Sequence, residues 1–197
     1  MKLPAILAVG LLALAVAAPA SATIIVYDAT LSGAAEAPPN ASAGVGTVIV
    51  TIDTVASTMR VQALFAGLTG TVTASHIHCC TASPNTGAAG VATVTPTFTG
   101  FPTGVTAGTY DQTFNMLAGT GSWNNAFVTA NGGTPATAFA VLIAGLNSGS
   151  AYFNIHSTFA GGGEIRGFLH AVPEPATLAV MGLGLAGIGF ARRRKAS

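Results

Sequence analysis

The stretch Met59-Arg60-Val61-Gln62-Ala63-Leu64-Phe65 decides the fold. Met59, Val61, Ala63 and Phe65 alternate with Arg60 and Gln62, the period-two pattern of a strand with one buried and one wet face. A helix would scatter those four apolar residues around its circumference. Working outward, 24–31 and 45–52 are rich in β-branched residues and bounded by Gly and Pro. Segments 74–78, 91–98, 109–114, 151–157 and 164–169 have strand length, with Gly, Pro, Asn and Thr at the joints. One segment reads differently. Thr134 can cap, Pro135 suits a first helical turn, and 136–146 runs without a breaker until Asn147 and Gly149. Eight short strands and one short helix predict a mainly β fold, an antiparallel sandwich or barrel.

Composition narrows the function classes. Only 7% of the 197 residues are Asp, Glu, Lys or Arg, against about 25% in an average soluble domain. Half are hydrophobic and 7% aromatic, which excludes a disordered polyelectrolyte and a coiled coil. The formal net charge is +1, and the basic residues cluster only in the last six positions, so no nucleic acid is expected as a partner. Between 23 and 171 the fixed charges are Asp28, Glu36, Asp53, Asp111 and Glu164 against Arg60 and Arg166, five minus two, a net of −3. Two adjacent cysteines cannot build a multi-bridge framework or a zinc ribbon.

The two ends read as addresses. Lys2, an apolar run over 5–18 and the small residues of Pro19-Ala20-Ser21-Ala22 predict a signal peptide over 1–22, removed by signal peptidase. Residues 23–171 then form one domain of 149 residues. At the other end Val172-Pro173-Glu174-Pro175 leads into an apolar stretch over 176–191 and then Arg192-Arg193-Arg194-Lys195. As a transmembrane helix those 16 residues reach ~24 Å, a little short of the hydrocarbon core. The cations stay in the cytoplasm, which puts the body outside. The order of Pro173-Glu174-Pro175, apolar helix and Arg192, Arg193 and Arg194 resembles the PEP-CTERM sorting signal over 172–197. That resemblance implies export in a Gram-negative bacterium and a transient inner-membrane anchor that an exosortase recognises and cuts. It also implies a final place at the cell surface or in the extracellular matrix, with exopolysaccharide or matrix proteins as partners.

Four motifs punctuate the body: Leu31-Ser32-Gly33-Ala34-Ala35-Glu36-Ala37-Pro38-Pro39, Ser75-His76-Ile77-His78, Tyr152-Phe153-Asn154-Ile155-His156, and Gly162-Gly163-Glu164-Ile165-Arg166-Gly167. Their order and spacing resemble the CHRD domain, over nearly all of 27–169. The resemblance implies an immunoglobulin-like β fold and no established enzymatic activity. The chain departs from the family pattern after His78, where Cys79-Cys80 stand in place of a frequent glycine.

Strand parity puts His76 and His78 on one face, Tyr152, Asn154 and His156 on one face, and Glu164 beside Arg166. Three readings of these residues are open. The first is a hydrogen-bonded polar network of Asn154, Glu164 and Arg166 that fixes strand register, with Arg166 holding Glu164 and the histidines neutral. The second is a copper or zinc site on His76, His78 and His156, with Cys79 and Cys80 as further ligands. The third is acid–base chemistry by histidine and Glu164, which no Gly-x-Ser-x-Gly, carboxylate pair or phosphate loop supports. A structural or binding role is therefore the expectation, with no enzyme activity, no required cofactor, and metal binding as the alternative. For Cys79-Cys80 a disulfide between the two neighbours is favoured over free thiols or intermolecular bridges, in keeping with an oxidising compartment. Trp123-Asn124-Asn125 reads as a packed strand or loop rather than a sugar platform.

Overall fold

The computed structural model describes residues 24–173. Its frame is a single antiparallel sheet of eight strands: β1 (Ile24–Ser32), β2 (Val45–Asp53), β3 (Thr58–Ala66), β4 (Val72–His78), β5 (Gly108–Asn115), β6 (Tyr152–Ser157), β7 (Ile165–Phe168) and β8 (His170–Ala171). Seven follow the order β4-β6-β7-β1-β2-β3-β5, and β8 pairs with β1. The expected mainly β fold is present, as one sheet curled into a half-barrel.

The alternation in the 59–65 stretch sets the inner face. β2 and β3 pair over nine positions, from Val45↔Ala66 to Asp53↔Thr58. Val48, Val50 and Ile52 of β2 and Met59, Val61, Ala63 and Phe65 of β3 are buried together. Asp53 closes the connecting turn, its Oδ1 accepting from the N–H groups of Val55 and Ala56 at 2.9 and 2.8 Å.

Two helices accompany the sheet. The expected one, α2 (Pro135–Asn147), starts with a capping box between Thr134 and Thr137 and with Pro135 in its first turn. Phe139, Leu142 and Leu146 on α2 share the core with the sheet, and Tyr27 of β1 donates its hydroxyl to Asn147 Oδ1 at 2.7 Å. The other, α1 (Asn125–Ala130), was not expected. Asn124 caps it by accepting from Ala126 N–H, and Trp123 just before it is buried, donating to Met116 O at 2.9 Å.

The expected strand over 91–98 does not form. Those residues run beside the free edge of β4, but the contacts alternate between backbone and hydroxyl. Ala92 N–H donates to Ile77 O and Phe98 N–H to Ser75 O, while the N–H groups of Ile77 and Ser75 donate to Thr93 Oγ1 and Thr97 Oγ1. Pro96 has no N–H to give a ladder, and the threonine hydroxyls substitute. The expected signal peptide over 1–22 lies outside the described residues, as do Glu174, Pro175, the apolar helix, and Arg192, Arg193 and Arg194. Among the described residues no helix is long and apolar enough to cross a membrane.

Candidate metal centre

Adjacent strands β4 and β6 bring the three histidines together. The register pairs Ala74 with His156, His76 with Asn154 and His78 with Tyr152, so His156 sits diagonally across from His76, and His76 and His78 are two residues apart on one face. One nitrogen from each of His76, His78 and His156 lies within 4.8 Å of one from each of the others. His76 and His78 are buried, and His156 is half-buried.

Backbone carbonyls fix each ring. His76 Nε2 contacts Pro96 O at 2.5 Å, His78 Nδ1 contacts Ala89 O at 2.9 Å, and His156 Nδ1 contacts Gly161 O at 2.9 Å. A carbonyl only accepts, so each of these nitrogens carries the proton. In the neutral rings the lone pairs therefore lie on His76 Nδ1, His78 Nε2 and His156 Nε2. His76 Nδ1 and His156 Nε2 are 3.3 Å apart, and His78 Nε2 is buried with no hydrogen-bond partner. Burial holds all three rings below the ordinary histidine value, His78 down to about 4, with the charges of the other rings and Arg166 adding to its depression. A hydrogen bond between His76 and His156 needs an extra proton that this environment disfavours.

Such an arrangement suits a cation. Ligating histidines characteristically donate their second nitrogen to a carbonyl or carboxylate, which fixes ring and tautomer. Zinc–nitrogen bonds of about 2.0–2.1 Å at tetrahedral angles put neighbouring nitrogens about 3.3 Å apart. The His76–His156 pair already has that spacing. Closing the widest separation takes at most roughly 1.5 Å of ring movement. Three imidazoles would leave a fourth position for water or another ligand.

The other anticipated site residues divide. Asn154 and Arg166 lie on the same face as the histidines, paired across β6 and β7. Arg166 does not hold Glu164. Its Nε lies 3.8 Å from Glu36 Oε2 and donates to Ala35 O at 2.5 Å, its Nη1 donates to Gly87 O at 2.8 Å, and its guanidinium sits 4.7 Å from the Tyr152 ring centroid. Asn154 Nδ2 donates to both Glu36 oxygens at 3.0 and 3.3 Å, and its buried Oδ1 has no hydrogen-bond partner. Burial pushes Glu36 up to about 7, against the opposing pull of Arg166. Glu164 turns elsewhere because β7 begins only at Ile165 and Gly163 takes a φ of +135°, which interrupts the alternation. Its carboxylate accepts from Ser157 Oγ, from Ser42 Oγ at 2.5 Å, and from the N–H groups of Thr69 and Gly70 at 2.5 and 3.1 Å.

Cys79 and Cys80 form a disulfide with each other. Both sulfurs crowd Gly145 of α2, where a Cβ would overlap them. Among the described residues the clustered ligand atoms come from the histidines alone. The expected thiol ligands are thus replaced by a disulfide packed against a helix. Glu36 was missed as the partner of Arg166; its signal was a scarce acid two residues before Pro38-Pro39. The orienting carbonyls of Pro96, Ala89 and Gly161 leave no mark in side-chain identity.

The CHRD domain family model matches residues 27–169, and the PEP-CTERM protein-sorting motif matches residues 171–195. No curated protein and no solved structure matches the chain. The sorting motif implies export in a Gram-negative bacterium through a membrane-anchored intermediate that an exosortase processes. With most of its length matched, the chain belongs to the CHRD domain family.

Proposed function

We propose that this is an exported CHRD-domain protein of the cell surface or extracellular matrix, with a binding rather than a catalytic role, that holds one copper or zinc ion on His76, His78 and His156. The carrying observation is the tautomer pattern: three protons directed to carbonyls leave one free nitrogen on each ring, in a cluster where a nitrogen of each ring lies within 4.8 Å of the others. A register-fixing network is the simpler use of buried histidines, but it accounts poorly for a His78 Nε2 that is buried without a partner. Neutral imidazoles suit copper and zinc, and affinity alone favours copper. The Glu36–Arg166–Asn154 group supports the site from the same face and supplies no ligand.

Elemental analysis of the full chain, expressed with copper and zinc supplied, tests the reading. The expected result is about one metal per chain, lost when His76→Ala and His78→Ala are combined; an unchanged circular dichroism spectrum confirms that the variant folds. Metal-free wild-type protein would sink the proposal and leave a matrix module whose histidines serve the fold.

A further inference from the structure

The Cys79–Cys80 disulfide borders a cleft of about 410 Å³ whose walls include Val91, Phe127, Asn131 and Val141. That volume falls in the range of small-molecule sites, about 300–1,000 Å³. Cys79 is 5% exposed, whereas Cys80 lies at the surface. An attacking thiolate therefore reaches Cys80 first.

The same disulfide is wired to the metal centre through one short segment. Ala89 O holds His78 Nδ1, Gly90 O accepts from Cys79 N–H at 3.1 Å, and Val91 bridges to His78. Gly90 and Val91 also line the cleft. Residues 89–91 thus orient the ring of His78 and anchor the first cysteine together. Across the disulfide, both sulfurs abut Gly145 of α2, so they cannot part toward the helix. Two separate thiols need van der Waals spacing, more than a bonded pair, so the sulfurs part toward the cleft, and that movement turns the 79–80 corner that residues 89–91 hold.

We propose that Cys79–Cys80 is a thiol-exchange site, entered by small thiols from the adjoining cleft, whose opening loosens the His78 corner of the metal centre. This rests on the metal-binding reading above. A thiolate attacks Cys80 Sγ, forming a mixed disulfide while the bonding electron pair leaves on Cys79 Sγ, which takes up a proton. A second thiolate attacks the sulfur of the bound small molecule, releasing Cys80 as a thiolate that is then protonated. The small thiol leaves as its own disulfide, oxidised by two electrons, and the cysteine pair is reduced by two. Orienting contacts of this kind are worth about 10–100-fold in metal affinity, so the reduced chain binds zinc at least about tenfold more weakly.

The test uses zinc, which thiols do not reduce, and the full chain in three forms: oxidised; reduced with dithiothreitol under native conditions and desalted under argon; and Cys79→Ser with Cys80→Ser. Zinc affinity is read by competition with a chromophoric chelator, and alkylation followed by mass measurement counts the free thiols. Two thiols in the reduced form, affinity at least tenfold weaker in both opened forms, and recovery on reoxidation are expected. A disulfide that resists the thiol, or affinities within twofold of the oxidised form or tighter, overturns the inference while leaving the metal site intact. If the oxidised form itself takes no zinc or copper, the metal reading fails and this inference falls with it. The reduced wild-type chain carries the test should the double variant not fold.

Discussion

His76 Nδ1 and His156 Nε2 face each other at 3.3 Å although each ring already spends its proton on a backbone carbonyl, Pro96 O and Gly161 O. Two lone pairs held at that distance are poorly matched to each other and well matched to a cation between them. His78, stacked on Tyr152 with ring centroids 4.8 Å apart, brings the third nitrogen from the same strand as His76.

Metal should stabilise the fold measurably. A ligand that binds only the native state adds about 2.7 kcal/mol at a hundredfold excess over its Kd. Zinc titrated into the full chain is expected to raise the thermal midpoint by several degrees, and His156→Ala should abolish that rise while changing the metal-free midpoint less. Differential scanning calorimetry with and without zinc checks this, and an equal rise in the variant would place the ion elsewhere.

Acid should destabilise the metal-free protein through the same histidines. Their folded values lie below the unfolded 6.5, so the unfolded chain binds more protons below that point, and stability falls as pH drops from 6.5 toward 4. For His78, shifted to about 4, the loss between pH 7 and 5 is about 2 kcal/mol. Glu36 opposes this. Its folded value of about 7 exceeds the unfolded 4.5, so its contribution is full below 4.5 and disappears as pH rises through 7. Glu36 returns about 2 kcal/mol over the same range and nearly cancels His78, so urea midpoints at pH 5, 6 and 7 should follow His76 and His156 in the wild type, and Glu36→Gln should uncover the full loss toward acid. A flat profile in both proteins contradicts the burial argument.

Glu36 and Glu164 should respond differently to the same substitution. Glu36 sits near its titration point at pH 7, so Glu36→Gln removes about half a charge from beside Arg166 and should cost about 1–2 kcal/mol, less than the ~3–5 kcal/mol of unpairing a fully ionised buried pair. Glu164 is fully buried among four donors. Burial pushes its carboxyl up, but the hydrogen bonds from Ser157, Ser42, Thr69 and Gly70 outweigh it and hold the group ionised. Glu164→Gln turns an amide N–H₂ against those donors and should cost about 2–4 kcal/mol. Chemical denaturation of the two variants ranks them, and the reverse order would refute the assignment.

How much of this was legible in the sequence depends on what kind of signal each feature leaves. Period-two alternation located β3 because one face is buried and the other wet, and β-branched composition located β2. Capping chemistry at Thr134 and Pro135 located α2. His76 and His78 share a face by parity alone, but their meeting with His156 required the β4–β6 register, which no local pattern encodes. Parity misled at Glu164, where a glycine at positive φ breaks the strand just before it, and at 91–98, where threonine hydroxyls take over from a ladder. The cysteines could be paired with each other from the sequence, yet their placement against Gly145 depends on where α2 lies relative to the 79–80 corner.

The depressed ring values would give the proposed metal site its own pH signature. Metal competes with protons for the three lone pairs, and ordinary histidines begin to lose that competition near 6.5. Here burial keeps His76, His78 and His156 below that value, with His78 at about 4. Zinc affinity should therefore change little between pH 7.5 and 6.5 and fall steeply only at more acidic pH. Glu36 adds a small effect in the same direction: it ionises near 7, offsets the charge of Arg166, and so favours a cation slightly more at the upper end of this range. Chelator competition at half-unit intervals from pH 5 to 8 measures the profile. A loss of about sixfold already between pH 7.5 and 6.5, which three imidazoles titrating at 6.5 would give, would mean that the ion is held by exposed, ordinary imidazoles and not by this buried triad.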